Sequence, residues 1–186
     1  MKGDAMKAVI GFLLGLIWPL IAFAGPEALP EAVKKRILRA PQEYVEQMTR
    51  LVAGFGGPAG LTAEGIATHV AVERAYTRAD ALRGLLAADL DNDGAVTMAE
   101  ADRLMQVLSA RGRGGFLLSF TAADADGDGR ADAAELRQAA DLVALDRLTP
   151  RAAEGLQAVL VFDADGDGAV SLPELRAGVA ALAGKS

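Results

Sequence analysis

Hydrophobic positions along the chain fall into three patterns. The first is an uncharged run of 17 residues, Ala8 to Ala24, preceded by Lys2 and Lys7 and ending in Ala22-Phe23-Ala24 ahead of Gly25. Basic, apolar, then small-x-small is the order of an export signal, so residues 1–24 are expected to be a signal peptide, with Pro19 breaking the apolar helix before the cut. Left uncleaved, the run would reach the lower edge of a membrane-spanning helix, and membrane contact is expected only in that case. The second pattern is apolar residues at helical spacing: Leu82, Leu85 and Leu86; Phe116 and Phe120; Leu156, Val159 and Leu160; and Leu172, Leu175, Val179 and Leu182. The third is a Gly- and Asp-rich loop after each of the first three of these groups.

Local signals set expected helix ends. Glu31 to Arg39 reads as a short basic surface helix stopped by Ala40-Pro41. Gln42 to Ala53 forms the next helix, and Thr62 caps another beginning at Ala63. Thr77-Arg-Ala-Asp80 resembles a capping box that opens the helix before Asp89, and Thr149-Pro150 a cap followed by Pro at the first helical position. Arg111-Gly-Arg-Gly-Gly115 is expected to interrupt any continuous helix.

The loop recurs as DLDNDGAVTMAE from Asp89, DADGDGRADAAE from Asp124 and DADGDGAVSLPE from Asp163, with starts 35 and 39 residues apart. Each copy places Asp at positions one, three and five, Gly at six and Glu at twelve. That spacing suits a hard, oxygen-seeking cation. Asp89, Asp91, Asp93 and Glu100, then Asp124, Asp126, Asp128 and Glu135, then Asp163, Asp165, Asp167 and Glu174 supply carboxylates, and Ala95, Arg130 and Ala169 each offer a backbone carbonyl. With two oxygens from the closing Glu, each shell reaches about seven ligands, which favours calcium over the smaller octahedral magnesium. Thr97, Asp132 and Ser171 hold the ninth position and are good N-caps, so closing the site and starting the next helix share one motif.

These loops resemble those of the EF-hand family. The resemblance implies an all-α fold of paired helix-loop-helix units and three Ca2+ sites, and it spans about residues 41–186. Dockerin-like calcium loops are the nearest competitor, but they close with Asp rather than Glu. Because EF-hands pair, a fourth unit is expected one period upstream, at Gly54 to Gly65 (GFGGPAGLTAEG). There Leu61-Thr62 aligns with Val96-Thr97, and no carboxylate stands at a ligand position. The expected organisation is a basic lead-in helix at 25–40, a pair at 41–110 joining this vestigial hand to loop 89–100 through Leu61 and Val96, a Gly-rich linker at 111–115, and a second pair at 116–186. A single compact four-hand body is the other arrangement.

Composition narrows the function. With no Cys, disulfides, zinc-thiolate sites, iron-sulfur clusters and thiol catalysis are excluded. One histidine, His69, and a net charge of -6 argue against a multi-histidine metal site and against nucleic-acid binding. Catalysis is not expected, because the clustered carboxylates are all committed as ligands and full coordination leaves no position for substrate. His69, among Ile66, Val70 and Val72, reads as a packed histidine. The basic run Lys34, Lys35, Arg36 and Arg39 reads as a solvated face.

The expected function is that of a periplasmic or secreted calcium-binding protein, its calcium mainly structural, with storage or docking of an envelope protein partner as its use. The alternative is a calcium-dependent regulator of such a partner. Beyond the signal region only Met48, Met98 and Met105 could line an adaptable sensor groove.

Overall fold

A computed structural model describes residues 29–184. The expected signal peptide, residues 1–24, lies outside the described residues. Among the described residues no helix is long and apolar enough to cross a membrane.

The fold is all-α apart from two short ladders. In chain order the elements are α1 (Glu31–Arg39), α2 (Pro41–Phe55), β1 (Leu61–Thr62), α3 (Ala63–Leu86), β2 (Val96–Thr97), α4 (Met98–Met105), α5 (Ala110–Ala123), β3 (Arg130–Ala131), α6 (Ala133–Arg147), α7 (Pro150–Gln157), β4 (Ala169–Val170) and α8 (Leu172–Ala183). Between α7 and the last acidic loop, Ala158–Phe162 tightens into a 3₁₀ turn. Several ends are set by the expected caps: the Thr62 hydroxyl accepts from Gly65 N–H at 3.1 Å, and the Thr149 hydroxyl from Ala152 N–H at 3.2 Å with Pro150 behind it.

The pairing of loops differs from expectation. Leu61 does not meet Val96; β1 pairs antiparallel with β4 (Leu61↔Val170), and β2 with β3 (Val96↔Ala131). The reason lies in α3. Thr77 opens no new helix: its hydroxyl donates to the Glu73 carbonyl at 2.9 Å inside one continuous 24-residue helix. At 1.5 Å per residue that helix is about 36 Å long, so the loops at its two ends are held apart. α6 returns along α3, packed against it and tied by Arg78–Asp141 at 3.5 Å and by Arg74 Nη2 donating to the Leu148 carbonyl at 3.0 Å. The pairs are therefore nested: loops 89–100 and 124–135 form an inner lobe, and the Gly54 to Gly65 segment joins loop 163–174 in an outer one. The register is the same in both, eighth residue opposite eighth, so Gly54 to Gly65 stands where a partner loop stands.

Two further expectations are corrected. Arg111 to Gly115 is not a break but the first turns of α5, whose N-cap Ser109 accepts from Gly112 N–H at 3.2 Å; the helical interruption precedes it, between α4 and α5. The cap and the buried Phe120 offset the low helix propensity of these glycines. Nor is α1 only a surface helix. Its polar face is solvated, but Ile37 is fully buried beside α2 and α8.

Each lobe has its own core. The outer core gathers Leu29, Ile37, Tyr44, Met48, Leu51, Leu61, Ile66, Val159, Phe162, Val170, Leu175, Val179 and Leu182. The inner core is Leu85, Ala88, Val96, Ala101, Phe120, Ala123, Ala131 and Leu136. His69 sits at the edge of the outer lobe, edge-on to Phe55 with ring centroids 4.9 Å apart, consistent with a packed role.

Candidate metal centre

The three acidic loops close in the same way. At the sixth position Gly94, Gly129 and Gly168 have φ of 82°, 84° and 86°, a left-handed turn that glycine adopts without strain. This turn brings the glycine N–H back to the first carboxylate: Gly94 donates to Asp89 Oδ2 at 3.0 Å, Gly129 to Asp124 Oδ2 at 3.0 Å and Gly168 to Asp163 Oδ2 at 2.9 Å.

The closing Glu reaches back over the loop while starting the next helix. Glu100 Oε1 accepts from Leu90 N–H at 2.9 Å, and its Oε2 accepts from the Thr97 N–H and hydroxyl at 2.8 and 2.7 Å. Glu174 repeats this with Ala164 N–H at 2.8 Å and with the Ser171 N–H and hydroxyl at 2.9 and 2.7 Å. Glu135 accepts from Ala125 and Asp132 N–H, both at 2.9 Å. All three arrangements are complete capping boxes.

These bonds fix the charge state. The Thr97 N–H and hydroxyl, then the Leu90 N–H, pull Glu100 down to about 2; the Ser171 hydroxyl and N–H, then the Ala164 N–H, do the same for Glu174, also to about 2. The Glu135 and Ala134 N–H groups likewise lower Asp132.

Positions one, three and twelve converge. Carboxylate oxygens of Asp89, Asp91 and Glu100 lie within 4.8 Å of one another, as do those of Asp124, Asp126 and Glu135 and those of Asp163, Asp165 and Glu174. The fifth-position residues expected as ligands are turned toward their own backbone: Asp93, Asp128 and Asp167 each accept, through Oδ1, the N–H two residues on, at 2.9, 2.8 and 2.8 Å. Of the seventh-position residues, Arg130 and Ala169 enter the ladders opposite Thr97 and Thr62, and Ala95 directly precedes β2. Three like charges converge in each loop, where a pair at 4 Å opposes itself by about 1 kcal/mol in water and more near a protein surface. In the middle loop Asp124 Oδ1 is buried without a hydrogen-bond partner. An orphaned, buried carboxylate oxygen beside two further carboxylates is a donor set that fits a divalent, oxygen-seeking cation.

No such cluster forms at Gly54 to Gly65. There Gly57 and Gly60 exchange backbone bonds at 2.8 and 3.1 Å, and Gly60, at φ 138°, lies against the Val170 carbonyl, where a Cβ would collide. The segment keeps the ladder and the helix cap but carries no ligands.

One contact was not anticipated from the loop motif. Arg130 Nη2 donates to Asp93 Oδ2 at 2.9 Å, linking the two inner loops. An Arg at position seven in one loop and an Asp at position five in another were visible, but only knowing which loops pair brings them together.

The architecture is that of a protein built from paired helix-loop-helix units. The EF hand family model matches residues 119–140 and 160–180, the segments around the second and third acidic loops. These matches support an EF-hand calcium-binding family, and with the carboxylate clusters they indicate calcium binding. Loop 89–100 lies outside the matched residues. No curated protein and no solved structure matches the chain.

Proposed function

We propose that this is an exported, non-enzymatic calcium-binding protein with three sites, in which calcium chiefly holds the structure and leaves the filled protein available for storage or for docking an envelope partner. The observation that carries the reading is the double use of Glu100, Glu135 and Glu174. Each faces two loop carboxylates and also caps the outgoing helix, so neutralising the loop and ordering the helix are one event. Asp89, Asp91 and Glu100 would hold one ion, Asp124, Asp126 and Glu135 a second, and Asp163, Asp165 and Glu174 a third. The fifth-position Asp and seventh-position carbonyls complete each shell as the EF-hand resemblance implies. When bound, calcium would supply the positive charge that offsets the converging carboxylates, and the loop oxygens would coordinate it. Export rests on the order of residues in the first 24 positions, and outside the cytoplasm weak sites, with dissociation constants of about 10⁻⁴ to 10⁻³ M, suffice to stay filled.

A second reading, a calcium-dependent regulator, is favoured by one feature of the inner lobe: Val107 and Leu118 are 80% and 74% exposed. Calorimetric titration should saturate at three ions per chain; two or fewer would point to the middle loop, where Arg130 adds positive charge. A hydrophobic dye should dim when calcium is added to the folded protein. Brightening would support the regulator instead.

A further inference from the structure

Arg130 belongs by backbone to the second acidic loop but by side chain to the first. Its main chain pairs with Thr97 in the inner ladder, and its guanidinium reaches Asp93 Oδ2, 37 residues away in sequence, at 2.9 Å. Asp93 Oδ1 meanwhile accepts from Ala95 N–H at 2.9 Å, so both oxygens of this fifth-position carboxylate are engaged. Among the described residues, the side chains of the equivalent Asp128 and Asp167 accept only from their own loop, and the seventh position is Ala in the other two loops. The Asp93 contact also holds the guanidinium more firmly charged, with Asp91 and Asp128 adding to the effect.

We infer that Arg130 sets the calcium affinity of its neighbour, loop 89–100, acting as a tethered counter-cation for Asp93. This rests on the calcium reading above. A cation approaching Asp93 must compete with Arg130 for the carboxylate or share it, and the positive charge beside the loop opposes a second one arriving. The same contact has the opposite effect on the calcium-free protein, because it relieves repulsion between two acidic loops that the ladder holds side by side. Arg130 should therefore weaken calcium binding at one loop while stabilising the empty inner lobe. A contact that stabilised the empty and filled lobe alike would leave the affinity unchanged.

The test is a calcium titration of the full chain followed by nuclear magnetic resonance at the Gly94, Gly129 and Gly168 amides, each of which bonds the first carboxylate of its own loop. In Arg130→Gln the Gly94 midpoint should fall about two- to fivefold, as expected for removing a partly exposed ion pair and its charge, with Gly168 unchanged. The chelated variant should also melt below the chelated parent. Arg137→Gln, which removes an exposed charge on α6 without touching Asp93, should leave Gly94 where it was. An unmoved Gly94 midpoint in Arg130→Gln, or an equal shift in Arg137→Gln, would overturn the inference while leaving calcium binding intact. If none of the three glycines of the parent chain responds to millimolar calcium, the calcium reading itself fails and takes this inference with it.

Discussion

The two lobes share a fold and a ladder register but are furnished in opposite ways. The outer lobe has one acidic loop, a ligand-free partner at Gly54 to Gly65, and a core of 13 buried residues without a single Ala. The inner lobe has two acidic loops facing each other, and four of its eight core residues are Ala. A buried Leu, Ile, Phe or Met contributes about 1.5–3 kcal/mol, an Ala far less, so apolar burial is poorest where the carboxylates are most crowded. Helix-loop-helix pairing can thus be held from inside by side chains or from the loops by cations. In this chain apolar burial and the number of acidic loops vary inversely between the lobes. With no Cys available, no disulfide compensates.

The largest expected effect separates the lobes by metal. At calcium 100-fold above the dissociation constant each site adds about 2.7 kcal/mol, hence about 5 kcal/mol for the inner lobe and half that for the outer. Chelation should turn a single thermal transition, followed by helical circular dichroism, into two, the inner lobe melting first. One unchanged transition would break the comparison. A somewhat smaller effect comes from the side of the core: Phe120→Ala should cost about 3–5 kcal/mol and unfold the calcium-free inner lobe, whereas Ile37→Ala, at about 2–5 kcal/mol, should be tolerated by the outer lobe with its larger core. Chemical denaturation of both variants with and without calcium checks this.

What the sequence revealed and what it concealed follow from how far each signal reaches. The ligand pattern from Asp89 to Glu100 is local, each position fixed by one turn of backbone, so the loops, the caps at Thr62 and Thr149 and the helix stripe of α8 were all legible. Partner choice was not. A two-residue ladder such as Val96–Thr97 carries no mark of its mate, and the near-equal spacing of the loops favoured pairing neighbours. The deciding feature is the unbroken α3, and it was obscured by Thr77, whose hydroxyl could either cap a new helix or bond the Glu73 carbonyl one turn back. Ile37 was hidden for a similar reason: in a run as basic as Glu31 to Arg39 one buried residue does not announce itself, although it anchors the helix. Arg130 and Asp93 could be joined only after the pairing was known.

The smallest effect sharpens the description of the outer core. Tyr44 is buried with its hydroxyl unpartnered, and burial raises its pKa to about 12, against a weaker opposing pull from Arg36. A raised folded-state pKa contributes stability that is complete below the unfolded value of 10.0 and is lost as pH rises through about 12. Ultraviolet titration should therefore show a late phenolate step near pH 12 that Tyr44→Phe removes. Since that substitution deletes a hydroxyl with no partner, it should leave stability unchanged or raise it by up to about 1 kcal/mol.

Hydrogen exchange with and without calcium tests the nested pairing and the division of support between the lobes together. Chelation is expected to deprotect the amides of residues 96–97 and 130–131 in step, with the helices on either side of them, while residues 61–62 and 169–170 keep most of their protection through the outer core. Loss of protection in the pattern 61–62 with 96–97, or an outer lobe that opens before the inner one, would contradict it.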